Sequence, residues 1–136
     1  MRQGSLFDIP TLETSGAVGL AGVMPQVRAR MNLVAGNYEP GRKMLVDAIV
    51  AVAKREGIPL TSGGGKTITI DILDKWLQSS DRGHEPTLGA IMCFCLATGD
   101  SSPIEPVLKA LCLTAIPTAD LKYIEYGKDC AAELKI

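Results

Sequence analysis

The chain has 136 residues, of which 46% are hydrophobic and only 4% are aromatic. This length suits one domain with one core, and aliphatic side chains together with methionine must fill that core. The formal net charge of −1 is not that of a basic nucleic-acid-binding protein, although a local patch of cations can still set the field at a surface.

The N-terminal segment, residues 1–16, is predicted to be a flexible arm, because it is rich in glycine, serine, threonine and proline. A small apolar island at residues 6–10 could contact a neighbouring subunit. Residues 17–136 are predicted to form a single helical domain. No stretch approaches the roughly 20 apolar residues of a membrane span, and no signal-peptide pattern opens the chain, so we expect a cytoplasmic protein.

The first helix is predicted over residues 20–35, where apolar side chains recur at every third or fourth position. Arg28 and Arg30 are expected to project away from this apolar face. The face itself comprises Met24, Val27, Met31 and Val34.

The second helix is predicted over residues 42–56, with Arg42 and Lys43 in its first turn. A glycine-rich loop follows, in which Gly63, Gly64 and Gly65 precede a lysine, Lys66. This order resembles part of a phosphate-binding loop, but the earlier glycine of that motif is missing and no helix begins directly after the lysine. The loop is therefore predicted to be an exposed connector.

The third helix is predicted over residues 69–77, with Thr69 as its N-cap. Trp76 lies on its apolar side, so we expect the indole to be buried against the next helix. Two carboxylates on the outer side would repel DNA phosphates, so contact with a protein partner fits these charges equally well. The outer side carries Asp71, Asp74, Lys75 and Gln78.

Three further helices are predicted over residues 87–98, 102–111 and 118–134, separated by glycine and proline. The polar loop before them contains Arg82 and His84, and the lone histidine is predicted to be a surface imidazole. The residues of the helix at 87–98 that we expect to be buried are Leu88, Ile91, Met92, Cys95 and Leu96.

The four cysteines form no CxxC motif, and the chain contains only one histidine that could act as a further zinc ligand. A zinc site would need a ligand set that this chain does not arrange, so no metal site is predicted. The thiols are interpreted as buried or inert side chains in a reducing compartment. They are Cys93, Cys95, Cys112 and Cys130.

Residues 69–113 carry a resemblance to a known group of proteins. The Leu-Asp-x-Trp sequence at residues 73–76, the Phe-Cys-x-Ala-Thr-Gly-Asp sequence at 94–100 and the Pro-x-Glu sequence at 103–105 occur in that order. This arrangement is similar to small regulatory proteins of Mu-like transposable phages and prophages. The resemblance implies a helix-turn-helix regulator related to phage repressor and activator domains. The glycine-rich insertion at residues 62–65 departs from the pattern.

The sequence therefore predicts a mainly α protein, a compact bundle of five or six helices with a repressor-like helix-turn-helix core at residues 42–113. The predicted function is a phage-type DNA-binding transcriptional regulator, acting as a homodimer on double-stranded DNA. The candidate phosphate contacts are Arg28, Arg30, Arg42, Lys43, Lys66, Lys75 and Arg82.

The alternative is a protein-interaction module of the same fold, which holds a host or phage protein through its acidic helix. No nucleophile with a base, no paired carboxylates and no metal set point to an enzyme, and no cofactor is predicted.

Overall fold

The computed structural model describes residues 19–134, including the side chains of residues 19–128. This part of the chain contains six α-helices and no strand, which confirms the predicted mainly α bundle of five or six helices. Short 3-10 turns at Leu20–Gly22, Ser102–Ile104 and Thr118–Asp120 lead into α1, α5 and α6. The helices are α1 (Val23–Gly36), α2 (Arg42–Glu56), α3 (Ile70–Leu77), α4 (Leu88–Thr98), α5 (Glu105–Ala110) and α6 (Leu121–Leu134).

Local capping groups explain where the central helices begin and end. The side-chain hydroxyls of Thr69 and Thr87 accept backbone N–H groups of the first turns of α3 and α4, at 3.2 and 3.1 Å. Gly57 and Gly99 end α2 and α4 in the left-handed conformation, with φ of 67° and 71°. Such a conformation favours glycine because it lacks a Cβ. The predicted helix ends at these four residues are therefore confirmed.

The core lies where α1, α2, α3 and α4 meet. α2 packs along α4, and α1 crosses the segment formed by the 3-10 turn at residues 102–104 and α5. Trp76 is 3% exposed, so its predicted burial is confirmed, although α3 packs mainly on α1 and α2 and less on α4. The large apolar side chains of this core include Met31, Leu45, Ile49, Leu60, Leu73, Trp76 and Phe94.

The connection between α2 and α3 occupies residues 57–69. A helix-turn-helix motif joins its two helices by a turn of three or four residues, which fixes their crossing angle. Here the turn cannot fix that angle, because the connection is much longer. The orientation of α3 depends instead on its packing against α1 and α2 and on the polar contacts described below.

The predicted N-terminal arm, residues 1–16, lies outside the described part of the chain. No helix in the described part is both long enough and apolar enough to cross a membrane.

Candidate interaction surfaces

The outer face of α3 carries charges that are paired within the protein. The carboxylate of Asp74 accepts a hydrogen bond from the guanidinium of Arg42 at 2.5 Å. One turn earlier, Asp71 forms an ion pair with Lys75 at 3.2 Å. Two of the cations predicted to contact phosphates therefore neutralise the two carboxylates that would repel them. What remains on this face is close to electrically neutral.

Arg28 lies beneath α3 rather than on the surface. Its side chain is 2% exposed, so the prediction that it projects into solvent is wrong. Its guanidinium donates to the backbone carbonyls of Lys75 and Trp76, at 2.6 and 2.7 Å, and to that of Asp81 at 2.6 Å. The last carbonyls of a helix lack intrahelical donors and carry negative partial charge, so a buried cation stabilises them.

This arrangement removes Arg28 from the candidate phosphate contacts, because its donors already serve three carbonyl groups. The position of Arg28 relative to the apolar residues of α1 could have indicated its burial. Arg28 stands four residues after Met24 and three before Met31, so it shares their face of α1. Its partners lie 47 to 53 residues away along the chain, and spacing alone could not identify them.

The remaining predicted cations occupy separate places. Arg30 forms an exposed ion pair with Glu105 of α5 at 3.2 Å. Lys43, Lys66 and Arg82 are exposed, and none of them makes an ion pair within the described residues. Arg42 and Arg82 line two adjacent open clefts, of about 460 and 590 Å³, that share Ser79 and Ser80 in their walls.

The glycine-rich loop is closed by its own hydrogen bonds. The N–H of Gly64 donates to the carbonyl of Thr61 at 3.0 Å, and the N–H of Gly65 donates to the Thr61 hydroxyl at 3.1 Å. A phosphate-binding loop needs such N–H groups to point at the ligand. Here they are engaged within the loop, and α3 begins only at Ile70, well beyond Lys66.

His84 belongs to a small polar turn between α3 and α4. Its Nδ1 atom lies 3.2 Å from Oδ1 of Asp81, and the N–H of Gly83 donates to the same oxygen at 3.0 Å. The hydrogen bond from His84 holds the pKa of Asp81 below its ordinary value. Within the described residues, no hydrogen bond joins the imidazole to a serine, threonine or cysteine side chain.

The buried face of α4 differs from the predicted one. The helix is apolar nearly all round, so its sequence does not indicate which side turns inward. Ala90, Cys93 and Phe94 face α2 and the core, with the half-buried Ala97 one turn further on. Of the five residues predicted to be buried, Ile91 is buried and Cys95 is half-buried. The other three are exposed, namely Leu88 (64%), Met92 (43%) and Leu96 (59%).

We call these three side chains the α4 stripe. They are spaced four residues apart, so they form one row along the outer side of the helix. The row extends over two turns, about 12 Å at the rise of an α-helix. No charged side chain belongs to α4 at all, so the stripe is an uncharged surface.

The cysteines differ in exposure. Burial raises the pKa of the Cys93 thiol and raises that of Cys95 to about 11, which keeps both protonated and unreactive at neutral pH. This agrees with the prediction of inert thiols. Cys112 is exposed, so of the two predicted alternatives, buried or inert, burial does not apply to it. The side chain of Cys130 lies outside the described ones.

No family model, no curated protein and no solved structure matches the chain.

Proposed function

We propose that this chain is a non-enzymatic interaction module that binds the apolar face of a helical protein through the α4 stripe. The observation that carries this proposal is the row formed by Leu88, Met92 and Leu96, which are largely exposed although they are among the most apolar residues of the chain. Each such side chain contributes about 1.5–3 kcal/mol when it is fully buried. A partner that covers all three therefore gains a substantial part of its binding free energy there.

A helical partner fits the geometry of the stripe. Its side chains lie in a row at intervals of four residues, and rows of this kind pack into the grooves of a second helix. A partner helix would present apolar residues at positions i, i+3, i+4 and i+7, as in helix-in-groove recognition. Because α4 carries no charge, the facing side of the partner should be uncharged too.

The acidic face of α3 is less suited to this role than the sequence indicates. Asp71 and Asp74 are already paired with Lys75 and Arg42, so a partner would have to replace those ion pairs. Exposed pairs of this kind contribute little and offer little net charge to a partner. The resemblance to phage regulatory proteins supports a regulatory setting for the module.

Selection from a displayed peptide library tests this proposal. Peptides that bind the chain should share apolar residues at helical spacing, and Leu96→Glu should abolish their binding. The matched control is Lys54→Glu on α2, which also places a carboxylate at an exposed helical position and should leave binding intact. If the same peptides bind the Leu96→Glu and Leu88→Glu variants as well as the native chain, the proposal is wrong.

A second candidate function is the phage-type DNA-binding regulator, acting as a homodimer. The observation that favours it is that three of the predicted phosphate contacts, Lys43, Lys66 and Arg82, are exposed and make no ion pair in the described residues. A dimer would double these contacts and so strengthen weak phosphate binding.

Binding to DNA fragments across a range of salt concentrations tests this second candidate. Each phosphate contact contributes about −0.9 to the slope of log affinity against log salt. The double variant Lys43→Ala with Lys66→Ala should flatten the slope by about 1.8 per subunit by the same rule. Arg30→Ala is the control, because Glu105 already pairs with that cation. A slope that does not change with Lys43 and Lys66 would contradict this footprint.

A further inference from the structure

The C-terminal part of the chain exposes a second large apolar surface, here called the C-terminal arm (residues 111–128). Apart from Ile124, which is half-buried, every residue of this arm is exposed. The main contacts of α6 are with the 3-10 turn at Thr118–Asp120 that precedes it, so the helix stands away from the core. Its large exposed apolar side chains are Leu111, Leu113, Ile116, Leu121, Tyr123 and Tyr126.

We infer that the arm of one copy docks on the α4 stripe of a second copy, and that the second copy returns the same contact. The inference rests on the proposed function, because it names the helical partner of the stripe as α6 of the same protein. It describes a two-fold, reciprocal exchange of arms, in which each copy both gives an arm and receives one.

The exposed apolar area favours reciprocal exchange over other ways of covering the arm. At about 100 Å² for each large apolar side chain, the stripe offers roughly 300 Å², and an arm docked on it buries a similar area of its own surface. Two reciprocal contacts therefore bury roughly 600 Å² per copy, or about 1,200 Å² in total, which is the lower end of the range for stable interfaces. Pairing of α6 with α6 alone would use only Leu121, Tyr123 and Tyr126, on the order of 300 Å² per copy, which is too little.

The charge pattern of α6 matches the uncharged stripe. Tyr123, Ile124 and Gly127 lie at spacings of three and four, so they share one face of the helix. Gly127 has open space around the position that a Cβ would take, so packing within the chain does not explain it. On the docking face, its missing side chain would let another helix come close. The charged residues outside this face are Lys122, Glu125 and Lys128.

The connection before α6 is long enough for the arm to contact another molecule. Residues 114–117 lie between the end of α5 and the next 3-10 turn, and an extended chain spans about 3.3 Å per residue, so they can bridge roughly 13 Å. That distance is similar to the length of the α4 stripe. The arm can therefore lie across a neighbouring molecule without any change in α1 to α5.

The test uses the full chain and two single-surface variants, with molar mass measured by sedimentation and light scattering. The native chain should be a dimer. The stripe variant Leu96→Glu and the arm variant Tyr123→Glu should each weaken dimerisation at least about 30-fold, the loss typical of a hot-spot side chain. Both positions are exposed, so both variants should keep the native circular dichroism spectrum and unfolding midpoint; Leu88→Glu replaces Leu96→Glu if that variant does not fold.

Mixing the two variants gives the decisive result. In a mixed dimer, the intact arm of the stripe variant meets the intact stripe of the arm variant, so one of the two contacts is native. The mixture should therefore dimerise more strongly than either variant alone. A native chain that stays monomeric overturns the inference, as does a stripe variant that stays dimeric or a mixture without any gain. Pairing of α6 with α6 predicts the last two outcomes.

Failure of this inference can be told apart from failure of the proposed function. The arm variant retains an intact stripe that no second copy covers. Peptide selection on that variant should still yield amphipathic helical sequences. If it yields none, the proposed function is wrong; if it yields them while the native chain is monomeric, only the exchange of arms is wrong.

Discussion

α3 and α6 are both short amphipathic helices, but the protein holds them in opposite ways. α3 has eight residues, fewer than an isolated helix needs to be stable in water. It is held by a buried indole, by Arg28 beneath its last turn and by ion pairs on its outer side. α6 has fourteen residues, and its side chains of Leu121, Tyr123 and Tyr126 are exposed. The difference indicates that α3 is part of the scaffold, whereas α6 is available to a partner.

Truncation of Trp76 in α3 should change the free energy of unfolding more than any other substitution considered for α3 and α6. Trp76→Ala should lower the free energy of unfolding by roughly 3–5 kcal/mol, because it removes a buried aromatic side chain from the core. The matched substitution in α6, Tyr126→Ala, should change it by less than about 0.5 kcal/mol in the monomer, since that ring is 70% exposed. Chemical denaturation at low protein concentration measures both. Equal losses would show that α6 belongs to the core.

Substitution of Arg28 should cause the next largest decrease in the free energy of unfolding. Arg28→Met should destabilise the protein by about 3 kcal/mol, because three carbonyl groups lose a charged donor and only that of Lys75 keeps another, the N–H of Gln78. Arg28→Lys should recover only part of this, since an ammonium group cannot reproduce the planar set of donors. Arg30→Met is the control and should cost well under about 1 kcal/mol, because its ion pair is exposed. The same denaturation experiment ranks the three variants.

A substitution at Gly89 tests how closely α4 approaches the connection between α2 and α3. A Cβ at this position would lie 2.8 Å from Cγ2 of Ile58, so Gly89→Ala should destabilise by about 1 kcal/mol despite the better helix propensity of alanine. Gly36→Ala in α1 is the control, because its Cβ would meet nothing. A Gly89→Ala variant that is as stable as the native chain would show that the Ile58 side chain can move away from the added methyl group without a loss of stability.

A substitution at the C-terminal end of α5 should have the smallest effect, and this substitution should increase stability. Cys112 has a φ of 60°, and the N–H of Leu113 donates to the carbonyl of Leu108 at 2.7 Å, as in a Schellman motif. Glycine is preferred at the left-handed position of that motif, so Cys112→Gly should stabilise the chain by up to about 1 kcal/mol. Cys112→Ala keeps the strain and should not stabilise. Thermal unfolding distinguishes the two variants.

Local chemistry was enough to predict where the helices lie. The span of α2, the threonine caps of α3 and α4 and the glycines that end α2 and α4 all follow from short-range rules, because a cap satisfies backbone groups within its own turn. The buried side of α3 also followed from its sequence, since apolar and charged residues occupy different faces. The buried indole of Trp76 is the clearest case.

The candidate surfaces could not be predicted in the same way, because they depend on contacts between residues that are distant along the chain. The sequence of α4 is apolar on every side, so only packing against α2 decided that Phe94 turns inward and Leu96 outward. The sequence indicates that Arg28 is a surface cation, but α3 and the loop after it place three carbonyl groups over its guanidinium. The sequence by itself determined the helices and their ends, because hydrogen bonds within one turn specify them. The tertiary structure alone decided which faces remain open to a partner, because that depends on which helices cover one another.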